Sequence, residues 1–206
     1  PYPMEYSSET AVKSRQKGNS TANVHSMMIY NNYFSPELAV CPSESSKYVQ
    51  VHEDYDYGFG GENGIGDKDR WDWDFSCDIT GKSKSARTGK YYSNVSYANM
   101  ALIGKRVENE WRASGNSKFV VISDRGPKDG VHDRKSETYL NHGTSKTWKG
   151  SLGFNDGHAE IFEQSSGTDN PFGYQTTNRG HELDSLFAED DVLTRADIWL
   201  IVAGES

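Results

Sequence analysis

The stretch that most constrains this chain runs from Gly150 to Phe162, Gly-Ser-Leu-Gly-Phe-Asn-Asp-Gly-His-Ala-Glu-Ile-Phe. Leu152 and Phe154 on one side, and Ile161 and Phe162 on the other, supply strand material around an Asn-Asp-Gly-His turn. Gly157 in that turn accepts positive φ without steric cost. The stretch therefore predicts a β-hairpin. With Asn141-His142-Gly143 shortly upstream, the residues His142, Asp156, His158 and Glu160 also form the densest group of metal ligands or acid–base side chains in the sequence.

At 206 residues the chain suits one domain with a real core. Residues 1–20 are polar and read as an arm or linker, which leaves 21–206 for a single globular domain. Hydrophobic residues make up only 34%, while Gly numbers 20 and Tyr 12, so aromatic rings must carry much of the burial in a β-rich chain with long loops. The formal charge of -8 argues against a nucleic-acid partner, since phosphate neutralisation needs clustered Lys and Arg. The nearest basic run, Lys82, Lys84, Arg87 and Lys90, is interleaved with Ser, Gly and Thr and reads as a solvated loop. No stretch is long and apolar enough to span a membrane, and the opening Pro1-Tyr2-Pro3-Met4-Glu5 lacks the features of a signal peptide. Cys41 and Cys77 make no CxxC pair and no zinc site; in an exported protein they are expected to form one disulfide, stabilising by roughly 3–4 kcal/mol in the loop-entropy model.

Along the chain, Val24, Met27, Met28 and Asn31 recur at helical spacing and predict a short helix within 21–33. His25 there reads as a hydrogen-bonded structural histidine. The run 47–52 alternates as a strand, and the glycine-rich stretch after it carries Asp54, Asp56, Glu62, Asn63, Asp67 and Asp69, oxygen ligands of the kind calcium prefers, although the EF-hand spacing fails. Trp71-Asp72-Trp73-Asp74-Phe75 alternates aromatic with acid and predicts a half-buried strand with a wet acidic face. A strand is expected at 91–97, and the β-branched run Lys118 to Ile122 predicts a buried one ending before Asp124. A short helix near 182–188 and a closing strand at 197–203 complete the reading. Asn19-Ser20-Thr21 and Asn94-Val95-Ser96 match the glycosylation sequon, a weak signal. The fold class expected is α+β, built on an antiparallel sheet with a short N-terminal helix.

Three segments resemble the prepilin-like proteins of the planctomycete type: Tyr33 to Glu44 (YFSPELAVCPSE), Asn94 to Gly104 (NVSYANMALIG), and the His142 to Asp156-Gly157 region, which is similar to that family's C-terminal histidine, spacer and Asp-Gly signature with a longer spacer. The resemblance implies a pilin-like globular domain without its N-terminal helix, located outside the cell or on its surface. It implies a structural subunit of a pilus-like filament or secretion pseudopilus, with copies of itself or related subunits as partners. By similarity to pseudopilins whose C-terminal acidic loop is ordered by calcium, Asp169, Asp184, Asp190 and Asp191 are the candidate calcium ligands. Asp124, His142, Asp156 and His158 are expected to form a buried hydrogen-bonded network that fixes loop geometry. A second reading is a carbohydrate-binding module using Trp71, Trp73, Trp111 or Trp148. A third is a metal-dependent hydrolase that would hold its ion with Asp124, His142, Asp156 and His158.

Overall fold

The computed structural model describes residues 21–57, 72, 75–77, 92–102, 105–112, 115–127, 130, 131, 135–165, 173, 174, 184–187, 200 and 201. The chain divides into two compact units, Pro1–Ser96 with Val202–Ser206, and Tyr97–Ile201. The span 21–206, expected as one domain, contributes to both.

The first unit opens with helix α1, Thr21–Tyr30, where the sequence predicts one. Thr21, Ala22, Val24, His25, Ser26, Met27 and Ile29 are buried, so the helix is covered over most of its circumference, while Asn31 is exposed. Asn32 ends it at φ 60, with its N–H on Ile29 O at 2.9 Å and the Tyr33 N–H on Met28 O at 3.0 Å. These two reversed bonds satisfy carbonyls that the helix leaves open, and Asn is the side chain that best tolerates the left-handed conformation after glycine. A turn of 3-10 helix, Pro36–Ala39, follows.

The rest of this unit is stitched through four residues, Ser93, Asn94, Val95 and Ser96, each 1% exposed or less. Ser93 gives its N–H to Tyr48 O at 2.7 Å and takes that of Gln50 at 2.8 Å. Asn94 donates from its backbone to Ser76 O at 2.6 Å and from its side chain to Gln50 O at 3.0 Å, and its Oδ1 accepts the Ser76 N–H at 2.9 Å. Ser96 donates to Ala39 O at 3.0 Å, and its hydroxyl accepts the Cys41 N–H at 2.6 Å. Buried backbone groups need partners, and here they find them in hydrogen bonds that cross between separate segments.

Several expectations change here. The run 47–52 forms no strand: Val49 makes one isolated bridge to Ser93, and the buried residues Val49 and His52 are three apart where a strand needs two. Asp72 does not lie on a wet face but is 1% exposed, and its carbonyl accepts the Phe75 N–H at 3.2 Å. Asn94 is fully buried with both ends of its amide bonded, so its sequon is closed to a glycan. Cys41 and Cys77 are both buried and are free thiols in this structure. Cys77 opposes Ser93, whereas Cys41 is bonded to Ser96.

The second unit is an antiparallel sheet. Strands β1 (Tyr97–Met100), β2 (Val120–Asp124), β3 (Thr147–Phe154) and β4 (Ala159–Ser165) form a meander. A two-residue strand Leu200–Ile201 pairs on the far side of β1, giving the order β4-β3-β2-β1 and then this strand. Helices α2 (Lys105–Asn109) and α3 (Thr138–His142) lie in the connections. The predicted buried strand and hairpin are both present, the latter with the Gly157 N–H on Phe154 O at 2.9 Å and Gly157 at φ 91. This is the three-residue loop in which a glycine takes the left-handed position.

On β3 the alternation is strict: Trp148, Gly150, Leu152 and Phe154 are buried, while Lys149 and Ser151 are exposed. Trp148 is wholly buried, with its ring 5.5 Å from Phe187 and 6.3 Å from Phe162 and its indole N–H on Arg125 O at 3.2 Å. Asp184–Ser185 is not helical but a short strand paired antiparallel with Gly173–Tyr174, a correction to the helix expected near 182–188. The Leu200 N–H bonds Leu186 O at 2.9 Å, so this segment's backbone is used between chain segments, which extended backbone allows and a helix does not.

The two hairpin glycines should respond differently to substitution. A Cβ on Gly150 would lie 2.6 Å from the Trp148 ring and 2.9 Å from Asp124 Cβ, whereas one on Gly157 meets nothing within 4 Å but sits at positive φ. Urea denaturation is expected to show Gly150→Ala losing roughly 1–3 kcal/mol to overpacking and Gly157→Ala about 1–2 kcal/mol to backbone strain. Gly157→Asn should recover most of its loss and Gly150→Asn none.

Candidate functional site

The residues singled out around the hairpin fall into two pairs. Asp124, the last residue of β2, is 6% exposed; its Oδ2 accepts the Ser151 N–H at 2.7 Å and its Oδ1 lies 3.5 Å from His142 Nε2. His142 ends α3, and the chain then turns tightly: Thr144 and Thr147 exchange backbone bonds of 2.8 and 3.1 Å, and a side chain on Gly143 would overlap the Thr147 carbonyl. This turn sets the end of α3 beside β3. The carboxylate thus joins three segments, β2, β3 and α3.

Asp156 and His158 make the second pair, at the hairpin tip. Asp156 Oδ1 is 2.5 Å from His158 Nδ1 and also accepts the His158 backbone N–H at 3.2 Å. On its other side the ring meets Glu160 Oε1 at 3.6 Å, and it stacks on Phe154 at 4.1 Å and 7°. The His158 side chain, followed by its backbone N–H, holds the Asp156 carboxyl below the usual carboxylate range. A carboxyl lowered in this way stabilises the hairpin above the ordinary range, and the contribution is lost as pH falls through the lowered value. The pair sits at the solvent-facing hairpin tip, so that contribution is small.

The strand register separates the pairs. Phe154, before the tip, opposes Val120 at the start of β2, whereas Asp124 ends β2 beside Ser151, so the pairs are roughly 10 Å apart along the strands. One ion cannot be held by all four at zinc-ligand distances. The two pairs act on different parts of the structure, Asp124 and His142 at the base of the hairpin and Asp156 and His158 at its turn.

A second polar cluster lies in the first unit. His52 Nε2 donates to Asp72 Oδ2 at 2.9 Å, and that oxygen also takes the Asp56 N–H at 2.9 Å. The Tyr55 ring stands 6.0 Å from those of His52 and Phe75, and its hydroxyl donates to Ser26 O at 2.9 Å, with Ser26 Oγ 2.8 Å away. All four polar residues, Ser26, His52, Tyr55 and Asp72, are 9% exposed or less. Burial, the largest influence, pushes the Tyr55 phenol up to about 12. Sequence reasoning did not find this group, because its hydrogen-bonded partners are 16 to 29 residues apart. The one available signal was an acid set between two tryptophans, Trp71-Asp72-Trp73.

Of the other candidates, Asp169, Asp190 and Asp191 lie outside the described residues, and Asp184 is described only as a backbone position in its short strand. Glu62, Asn63, Asp67 and Asp69 also lie outside them, as do Trp71 and Trp73. Trp111 is partly exposed and Trp148 wholly buried, so a sugar platform cannot use the latter. In the Asp124–His142 and His52–Asp72 pairs the carboxylate accepts a backbone N–H from another segment, Ser151 for Asp124 and Asp56 for Asp72. That is the chemistry of a clamp.

Two measurements check this. Asp124→Ala strands the Ser151 N–H and should cost about 1–3 kcal/mol in urea denaturation, with a smaller loss for His142→Ala, whose side chain is one-third exposed. In alkali, a phenol raised by folding stabilises the fold below the ordinary tyrosine range and loses that contribution as pH rises towards 12. Absorbance titration should show Tyr55 ionising late, together with unfolding, and Tyr55→Phe should flatten the pH dependence of the melt across that window.

No family model, no curated protein and no solved structure matches this chain.

Proposed function

We propose that this chain is a structural subunit of an extracellular pilus-like filament or pseudopilus, acting by assembly with copies of itself or with related subunits. The observation that carries the reading is the arrangement of the resembling segments within an α+β fold. Tyr97-Ala98-Asn99-Met100 forms β1, and the Asp-Gly signature forms the turn between β3 and β4 of the same antiparallel sheet. The Cys-Pro segment, within Tyr33 to Glu44, is tied to Ser96 by the bonds from Ala39 and Cys41. These are short motifs far apart in sequence, and each is used to hold another part of the chain in place. A scaffold role also suits the Asp124–His142 and His52–Asp72 pairs, whose carboxylates accept backbone N–H groups from other segments. On this reading the polar clamps keep loops rigid enough to present one fixed surface to a neighbouring subunit.

Electron microscopy of the producing cells, with gold-labelled antibody against this chain, tests the reading. Regular surface filaments that carry the label are expected. Filaments that never label, with the chain recovered only as monodisperse particles, would overturn it.

A further inference from the structure

The His158 ring at the hairpin tip is bounded on three sides. Its Nδ1 is bonded to Asp156 Oδ1, its Nε2 stands 3.6 Å from Glu160 Oε1, and its face lies parallel to Phe154 at 4.1 Å. The backbone sets this grouping. The Phe154 N–H donates to His158 O at 3.0 Å, so the two residues oppose each other across the turn and their rings share a face of the hairpin. Glu160 follows two residues later on extended backbone and projects from that same face.

Asp156 decides the tautomer. A carboxylate at Nδ1 makes that nitrogen the N–H and leaves the lone pair on Nε2, which is how a histidine is prepared to ligate a metal. The lone pair and the Glu160 carboxylate are both electron-rich, and at 3.6 Å no hydrogen bond joins them. A cation placed between them turns two repelling groups into two ligands. The spacing suits one: donors about 2.0–2.2 Å from a tetrahedral zinc ion lie roughly 3.4 Å from each other. A protonated imidazole would instead close on the carboxylate to about 2.7–2.9 Å.

We propose that the hairpin tip is a zinc site, with His158 Nε2 and Glu160 Oε1 as ligands and Asp156 holding the imidazole in the ligating tautomer. An imidazole nitrogen beside a carboxylate oxygen suits a borderline ion such as zinc, whereas calcium and magnesium take oxygen ligands. The His158 and Glu160 side chains are 38% and 55% exposed, so an ion reaches them without opening the turn and water completes its coordination. Asp124 and His142, at the base of the hairpin, take no part. The site needs only one chain and holds whether or not that chain enters a filament.

The full chain, stripped with chelator and isotope-labelled, is titrated with zinc chloride alone while the histidine ring nitrogens are followed by NMR; loss of one signal in His158→Gln identifies His158. Zinc should shift the His158 Nε2 resonance and leave the Nδ1 proton in place. Read at that resonance, Asp156→Ala should weaken zinc by about 10–100-fold, and Glu160→Gln comparably, with the melt of Glu160→Gln unaltered in the absence of zinc. A His158 resonance that zinc does not move, an affinity there unchanged by Glu160→Gln, or binding at Nδ1 with loss of its proton would each overturn the proposal.

Discussion

The first unit depends on one constraint, that polar groups removed from water must be paired. Only 34% of the chain is hydrophobic, and in this unit a large share of the buried positions is polar: Thr21, His25, Ser26, Ser46, His52, Asp72, Ser93, Asn94 and Ser96. An orphaned donor or acceptor at such a position costs about 1–3 kcal/mol, more than a well-made bond returns. Residues 93–96 meet the constraint by serving three other segments at once, around Ala39, around Gln50 and around Ser76. A single extended strand with one neighbour would satisfy fewer of them. The geometry is accordingly one of isolated bridges and side-chain caps in place of a regular ladder.

The second unit solves the same problem with a sheet. Its ladder pairs most backbone groups, and its core is carried by a few large rings, Trp148, Phe119, Phe154 and Tyr139, each 3% exposed or less. The polar residues that remain buried there do separate work. Asp124 ties the end of β2 to β3, and the Asn155 side chain donates to Glu110 O at 2.8 Å, anchoring the hairpin turn to the segment after α2. Glu110 in turn takes the amide of Asn116 at 3.1 Å. The hairpin is thus tied to segments outside it by side-chain hydrogen bonds at Ser151 and at its turn, and that makes β3 and β4 a defined surface.

What the sequence made legible was local. The hairpin could be read because strand material flanks an Asn-Asp-Gly turn, and β2 because Val120, Val121 and Ile122 form a β-branched run. Helix α1 was legible from Val24 and Met27, yet its burial on nearly all sides was not, since His25 and Ser26 look like surface residues when read alone. The failures came where a partner distant in sequence overrides a local pattern. Asp72 reads as a wet strand position until His52 and the Asp56 N–H are seen to close on it. The segment at 184–187 reads as a helix until Leu186 and Phe187 are found buried, with Leu186 O holding Leu200. Asp124, His142, Asp156 and His158 read from the sequence as one buried network, whereas the structure divides them into two pairs, with Asp156 and His158 at the exposed hairpin tip. Their separation along the strands was hidden because closeness in sequence across a turn says nothing about which end of a neighbouring strand a residue meets.

The pairing of Met100 with Leu200 bears on how the protein is made. Strands β1 to β4 are contiguous and can assemble as they emerge, each on the one before it. Among the described residues the outer edge of β1 is paired only by Leu200–Ile201, which is synthesised long after β4 is complete at Ser165. At about 5–20 residues per second that interval is roughly 2–7 s. Throughout it, Ala98 and Met100, almost wholly buried in the finished fold, lie along an uncovered strand. The nascent chain is most prone to misassociation in those seconds, and any truncation that ends before Leu200 makes the vulnerable state permanent.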